Sequence, residues 1–209
     1  MEGWNMNKIK FLLSVLLAAG MSSSVLAQTV SQQLPPAETS GGMPILTAMS
    51  NRQSGKNFSS QVLEPQTLSN ILWAAWGINR SDGKRTIPTA MNNQNMLLYV
   101  IKADGAWLYN AQEQSLQPVS SQDLRPYLAT QAYAENAPLF LVYAVNEGSA
   151  DIVAGMQAGS MYQDVALYCA SQGLNNVVRG YFDKASLAAA LGIAEEQIVV
   201  SQVIGKKSV

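Results

Sequence analysis

A chain of 209 residues, 48% hydrophobic and with a net charge of −1, is long enough to bury one substantial core and too short for two of ordinary size. Only 13% of its residues are charged, and no segment concentrates the basic ones, so nucleic acid is not an expected partner. With no histidine and one cysteine, Cys169, it cannot assemble a Ser-His-Asp triad, a Cys-His pair or an ordinary zinc site. Catalytic chemistry would have to come from a bound organic cofactor.

The chain opens on Lys8 and Lys10, the apolar run Phe11 to Ala19 and the triplet Val25-Leu26-Ala27, the pattern of a secretory signal peptide over residues 1–27. The apolar run falls short of the roughly 20 residues that span a bilayer, so cleavage is expected rather than anchoring. No cysteine follows the run and no paired arginines accompany it. The expected destination is the bacterial periplasm, with no membrane association after cleavage and with any cofactor loaded outside the cytoplasm. Residues 28–44, rich in Gln, Pro, Ser and Gly, read as a flexible arm that either stays disordered or wraps a partner. The folded domain is expected over residues 45–209.

A helix is predicted after Pro65, where Leu68, Ile71, Leu72 and Ala75 form one apolar stripe that ends near Gly77. Trp73 and Trp76 flank the stripe and suit packing better than ligand stacking. Asn79 to Arg85 reads as a charged turn. Leu97 to Ile101 and Ala106 to Tyr109 then form a hairpin around Asp104-Gly105. A short helix is predicted over 121–128, with Asp123 and Arg125 on its polar side. Pro138 to Val145 is apolar throughout, the mark of a central strand. From Ile152 to Leu174 the pattern is helical and apolar on nearly all sides, and its small residues would let a second subunit approach closely. Cys169 lies inside it as inert packing. Asp183 caps a last helix that Gly192 stops, and the strand Ile198 to Ile204 leads into Gly205-Lys206-Lys207. Helices and strands alternate irregularly, an α+β pattern without a glycine-rich dinucleotide loop.

Two polar clusters carry the chemistry. Arg52-Gln53-Ser54-Gly55-Lys56 offers two cations and a hydroxyl within five residues, donors that could neutralise a phosphate and hydrogen-bond its oxygens. Pro88-Thr89-Ala90-Met91-Asn92-Asn93-Gln94 offers amides and a flat, small-residue surface suited to a planar heteroaromatic ring. Their order and spacing point to a flavin.

With these residues the chain resembles the FMN-dependent nitroreductase family from about Leu46 to Lys207, in particular its short branch that includes the SagB-like thiazoline dehydrogenases of peptide-toxin maturation. Arg52, Ser54 and Lys56 match the family's Arg-Arg-Ser-x-Arg/Lys segment, which grips the FMN phosphate and ribityl chain, with Gln53 at a commonly basic position. Pro88, Thr89, Ala90, Asn92 and Gln94 match a segment that lies against the flavin from the partner subunit. Leu72 to Asn79 is similar to a Leu-Trp-Ala-x-x-Gly segment of the short branch. Gly159 to Asp164 with Gly173-Leu174 is similar to the dimer helix, Asp164 standing where the family has Asn. Arg179-Gly180 falls where a backbone amide faces flavin N5, and Lys206 or Lys207 would replace the C-terminal basic residue that contacts the phosphate in many members.

The resemblance implies a nitroreductase-like fold, a mainly antiparallel sheet flanked by helices in an intertwined homodimer. It implies FMN as cofactor and a ping-pong cycle between a small-molecule donor, commonly NADH or NADPH, and an acceptor such as a nitroaromatic or quinone. No protein nucleophile is required; Lys56 is the candidate for an electrostatic role near the flavin N1–C2 edge. Export would make nicotinamide nucleotides scarce, which leaves two alternatives open: another donor, or a non-enzymatic periplasmic protein that keeps the fold and binds FMN or another planar ligand. Tyr109 to Gln117 is the candidate for a mobile, substrate-selecting loop.

Overall fold

The computed structural model describes residues 30–208; the expected signal peptide lies outside them. Seven strands form one antiparallel sheet: Gln32–Gln33 (β1), Met96–Lys102 (β2), Gly105–Asn110 (β3), Ser115–Ser120 (β4), Leu139–Val145 (β5), Asn175–Arg179 (β6) and Ile198–Gly205 (β7), in the order β1-β4-β3-β2-β5-β7-β6. β5 is buried at every position. Its odd-numbered residues Leu139, Leu141, Tyr143 and Val145 enter one core, and the even-numbered Phe140, Val142 and Ala144 enter another on the opposite face. A strand apolar on both faces needs cover on both. The helices Pro65–Trp76 (α2) and Ile152–Ser171 (α4) cover the first face, while Arg125–Leu128 (α3) and Lys184–Leu191 (α5) lie on the second.

The helix boundaries follow local chemistry. Pro65 starts α2, where its missing N–H is not needed, and Asp183 caps α5 by accepting a hydrogen bond from the Ser186 amide. α4 ends with Gly173 at φ 67° and the Leu174 amide donating to Cys169 O. The helix predicted over 121–128 is shorter than expected. The Asp123 carboxylate takes the Arg125 amide in a turn, and helix begins only at Arg125.

Four further features differ from the sequence reading. A short helix, Ile45–Asn51 (α1), packs beside α4, and β6 pairs at the sheet edge. Tyr109 to Gln117 is not a mobile loop: Asn110 turns the chain through its side chain, which accepts from the Gln112 and Glu113 amides, and β4 returns along β3. α4 is buried on one side only within a chain. Ala154, Ala158, Met161, Val165 and Cys169 face the core, whereas Ile152 and Met156 stand 80% and 69% exposed.

A fifth correction concerns the arm. Its described part is held against the body: Gln32 and Gln33 pair with Leu116 and Ser115, and Leu34 is only 3% exposed. Ser69 Oγ donates to Pro35 O, Gln66 Nε2 to Pro36 O, and the Glu38 amide to Asn70 Oδ1. The Pro35-Pro36 pair has little backbone entropy to lose, so one buried leucine and a few hydrogen bonds hold a segment whose average composition looks unfoldable. Leu34→Ala is expected to lower the free energy of urea unfolding by about 2 kcal/mol; a free arm would show no change.

Candidate functional site

Arg52 follows α1 with extended backbone, and from there the chain crosses the ends of β6 and β7. The Gly55 amide donates to Asn176 O at 3.0 Å, Asn175 Nδ2 to Asn57 O at 2.6 Å, and the Ser59 amide to Lys206 O at 2.9 Å. Phe58, buried, bridges to Lys207. A Cβ on residue 55 would collide with the Asn175 carboxamide, so glycine lets the segment lie here without displacing that side chain. These contacts set Arg52 and Gln53 opposite Lys207 in a cleft of about 530 Å³, closed by Ser171, Gly173 and Asn175. Ser54 and Lys56 are exposed and do not line this cleft.

The ion pairs among the described residues are Lys84–Asp82, Lys102–Asp104 and Arg125–Asp123. Arg52, Lys56, Arg179, Lys206 and Lys207 take part in none. A cleft edged by Arg52 and Lys207, with no carboxylate among its described lining residues, suits an anion. The residues present therefore fit the phosphate end of a flavin mononucleotide.

Beyond the cleft, Lys56 Nζ sits 5.0 Å from the centre of the Tyr133 ring, and the Arg179 guanidinium lies 5.4 Å from the same ring. Arg179 is 4% exposed. Its guanidinium donates to Leu128 O, to Thr130 Oγ1 at 3.2 Å and to Tyr181 O at 3.0 Å, while its Nε has no partner. Burial pulls it below the ordinary arginine range. The Arg179 side chain is thus committed to the loop after α3, and of the expected Arg179-Gly180 pair it is Gly180, exposed and with open space around its Cα, that can face a ligand.

The second cluster is a short 3-10 turn, Ala90–Asn92, with Met91 and Asn92 both left-handed, at φ 48° and 58°. Its strain is held by a network: Gln94 Nε2 donates to Asn92 Oδ1, Arg85 Nε donates to Gln94 Oε1 at 2.6 Å, and the Arg85 guanidinium stacks 4.6 Å from the Trp76 ring. Pro88, Ala90, Met91 and Asn92 all face solvent; Thr89 is half-buried. Within one chain the two clusters are apart. The second touches the start of α4, where Gln157 Nε2 donates to Asn93 O, and the end of β5, where the Asn146 amide donates to Asn95 O. The first lies at the end of α4 and of β7, on the order of 20 Å further along the helix.

A profile of the Nitroreductase family matches residues 49–206, a span that includes both clusters. The chain belongs to the nitroreductase family. A crystal structure of a candidate nitroreductase from Ralstonia eutropha JMP134 is similar at 32% identity and a TM-score of 0.80, covering 86% of this chain and 90% of that one. A candidate nitroreductase of Methanocaldococcus jannaschii is 26% identical over 200 residues, with 87% of this chain and 99% of that one aligned. The fold is also that of a candidate nitroreductase from Desulfovibrio desulfuricans solved in complex with FMN, at 18% identity and a TM-score of 0.58, covering 81% and 89% of the two chains.

Several residues of this candidate site escaped sequence reading. Asn175 and Tyr133 belong to no motif in the chain; they reach the site through pairing of β6 and through the turn Ala132–Ala134. The glycine inside the first cluster was a usable signal, because Gly55 among larger polar residues marks a close backbone approach. Cys169 is fully buried and its thiol is pushed up by burial, as inert packing requires.

Asp164, half-buried on α4 with no hydrogen-bond partner, is raised by desolvation from 3.8 to about 6. The folded state therefore holds this proton more tightly than the unfolded one. Its contribution favours folding below about pH 4 and is lost as pH rises towards 6. Stability measured across pH 4–6 is expected to decline with pH, and Asp164→Asn to flatten that part of the profile.

Proposed function

We propose that this nitroreductase-family protein is an FMN-dependent oxidoreductase that works as a homodimer. The observation that supports it most directly is the cationic cleft at Arg52 and Lys207, which has no carboxylate among its described lining residues. Arg52 and Lys207, with Lys206 adjacent, would neutralise the phosphate. Lys56 would place positive charge near the ring, and the Gly180 backbone would face it. When bound, the flavin supplies reversible two-electron chemistry, which a chain without histidine needs from a cofactor.

The distance between the clusters supports the dimer. One chain offers Arg52 and Pro88 at opposite ends of α4, too far apart to serve one ring in the way the resemblance implies. The outward face of α4 carries Ile152, Gly155, Met156 and Gly159, apolar or small. If two copies of α4 run antiparallel across a two-fold axis on this face, the start of one helix lies beside the end of the other. The Pro88 to Asn92 segment of one subunit is then brought towards the Arg52 cleft of its partner.

The reaction proposed is ping-pong transfer from NAD(P)H, or from another donor if the protein is exported to the periplasm, to a planar acceptor such as a nitroaromatic or quinone. The SagB-like branch is proposed on the Leu72 to Asn79 segment. No helix among the described residues is long and apolar enough to cross a membrane, and no acidic or thiol cluster among them is placed to hold a metal.

Purified protein is expected to be yellow or to take up FMN with quenching of flavin fluorescence, and to run as a dimer by light scattering. Anaerobic NADPH should bleach the flavin band; retention of oxidised flavin would indicate another donor. Arg52→Ala and Lys207→Ala should each weaken FMN binding about tenfold or more, the loss of one charge-assisted contact to phosphate. A colourless protein that refuses FMN would favour a non-enzymatic module. Lys56→Ala should weaken retention of FMN or slow its reduction, and unchanged kinetics and binding would remove Lys56 from the site.

A further inference from the structure

We propose that Tyr133 is a positioning residue for the flavin site: its ring is the seat that holds the Lys56 ammonium towards the cofactor. The inference rests on the FMN reading above and adds a residue from outside the two motif clusters. Lys56 is exposed, is absent from the ion pairs among the described residues, and approaches the Tyr133 ring at 5.0 Å. A lysine at an exposed site retains most of its rotamer freedom. A π-face beneath it reduces the orientations it samples and leaves its N–H donors pointing away from the ring, available to an acceptor.

The ring is itself immobilised. Tyr133 Oη donates to Gln131 Oε1 at 2.8 Å, and the Arg179 guanidinium lies against the ring at 5.4 Å while holding Leu128 O and Thr130 Oγ1 on the same loop. Arg179 is a buried cation with no carboxylate partner and an unpartnered Nε, an expensive group to keep for structure alone. Two cations thus share one aromatic ring, neither of them in an ion pair among the described residues, and the chain from Arg52 to Lys56 connects this ring to the Arg52 cleft. Positive charge held beside a flavin ring favours its reduced, more negatively charged form.

The test is a double-mutant cycle on the whole protein, read as FMN dissociation constant by fluorescence quenching and as midpoint potential of the bound flavin. Tyr133→Leu is expected to raise the dissociation constant about two- to fivefold, the size of one exposed cation–π contact, and to lower the potential. Tyr133→Phe, which keeps the ring, should restore both. In a Lys56→Met background Tyr133→Leu should have no further effect, because the tyrosine acts through the lysine. An equal effect of Tyr133→Leu in both backgrounds, or failure of Tyr133→Phe to restore binding, would overturn the proposal while leaving the FMN reading intact. A wild-type protein that binds no FMN would overturn both.

Discussion

The alternation of β5 decides where everything else goes. A strand with side chains of opposite parity in two separate cores must be covered twice, and a one-residue slip against β2 or β7 would exchange the two sets. That register places α4 along the length of one sheet face. The ends of α4, the end of β5 and the end of β7 are then fixed relative to one another, and the two polar clusters sit on those ends. The buried Tyr143 hydroxyl, donating to Gln202 Oε1, and Gln202 Nε2, donating to Asn176 Oδ1 and Tyr162 O, tie β5, β7, β6 and α4 together at the middle of this arrangement. Satisfied buried networks of this kind specify one alignment of elements over others.

On this frame the chain distributes its charges unevenly. Asp82, Asp104 and Asp123 each pair with a nearby lysine or arginine, and none of the ion pairs among the described residues involves Arg52 or Lys207 at the cleft. Like charges grouped in this way repel one another, and an anion bound between them would relieve that repulsion. Gly55 is a second local constraint: a side chain there would meet the Asn175 carboxamide and displace it from Asn57 O. The strained pair Met91 and Asn92, braced by Gln94 and Arg85, is a further instance of local cost held in place by its surroundings.

Much of the fold was legible because its signals are local. The Pro65 helix, the Asp104-Gly105 hairpin, β5, the Asp183 cap and the Gly192 stop each depend on a handful of neighbouring residues. β4 and β6 were not legible. β4 contains Pro118 and polar residues and becomes a strand only because β3 lies beside it, and β6 opens on two asparagines whose amides serve the cleft and the core instead of a turn. The arm failed for a related reason: Leu34 is a single apolar residue in a polar context, and its value depends on a pocket formed by residues distant in sequence.

By itself the sequence determined the chemistry available: no histidine, one inert thiol, two polar clusters in a fixed order, and an α4 too apolar to lie alone on one core. Tertiary structure decided which of those residues meet. It turned Arg179 inward although its neighbours suggest a ligand contact, because the carbonyls of Leu128 and Tyr181 needed a donor more than the surface did. It set Tyr133 beneath Lys56 across more than seventy residues of chain. It also kept the clusters at opposite ends of α4, a separation no spacing in the sequence reveals, since distance along a chain says nothing of which end of a helix a later loop returns to.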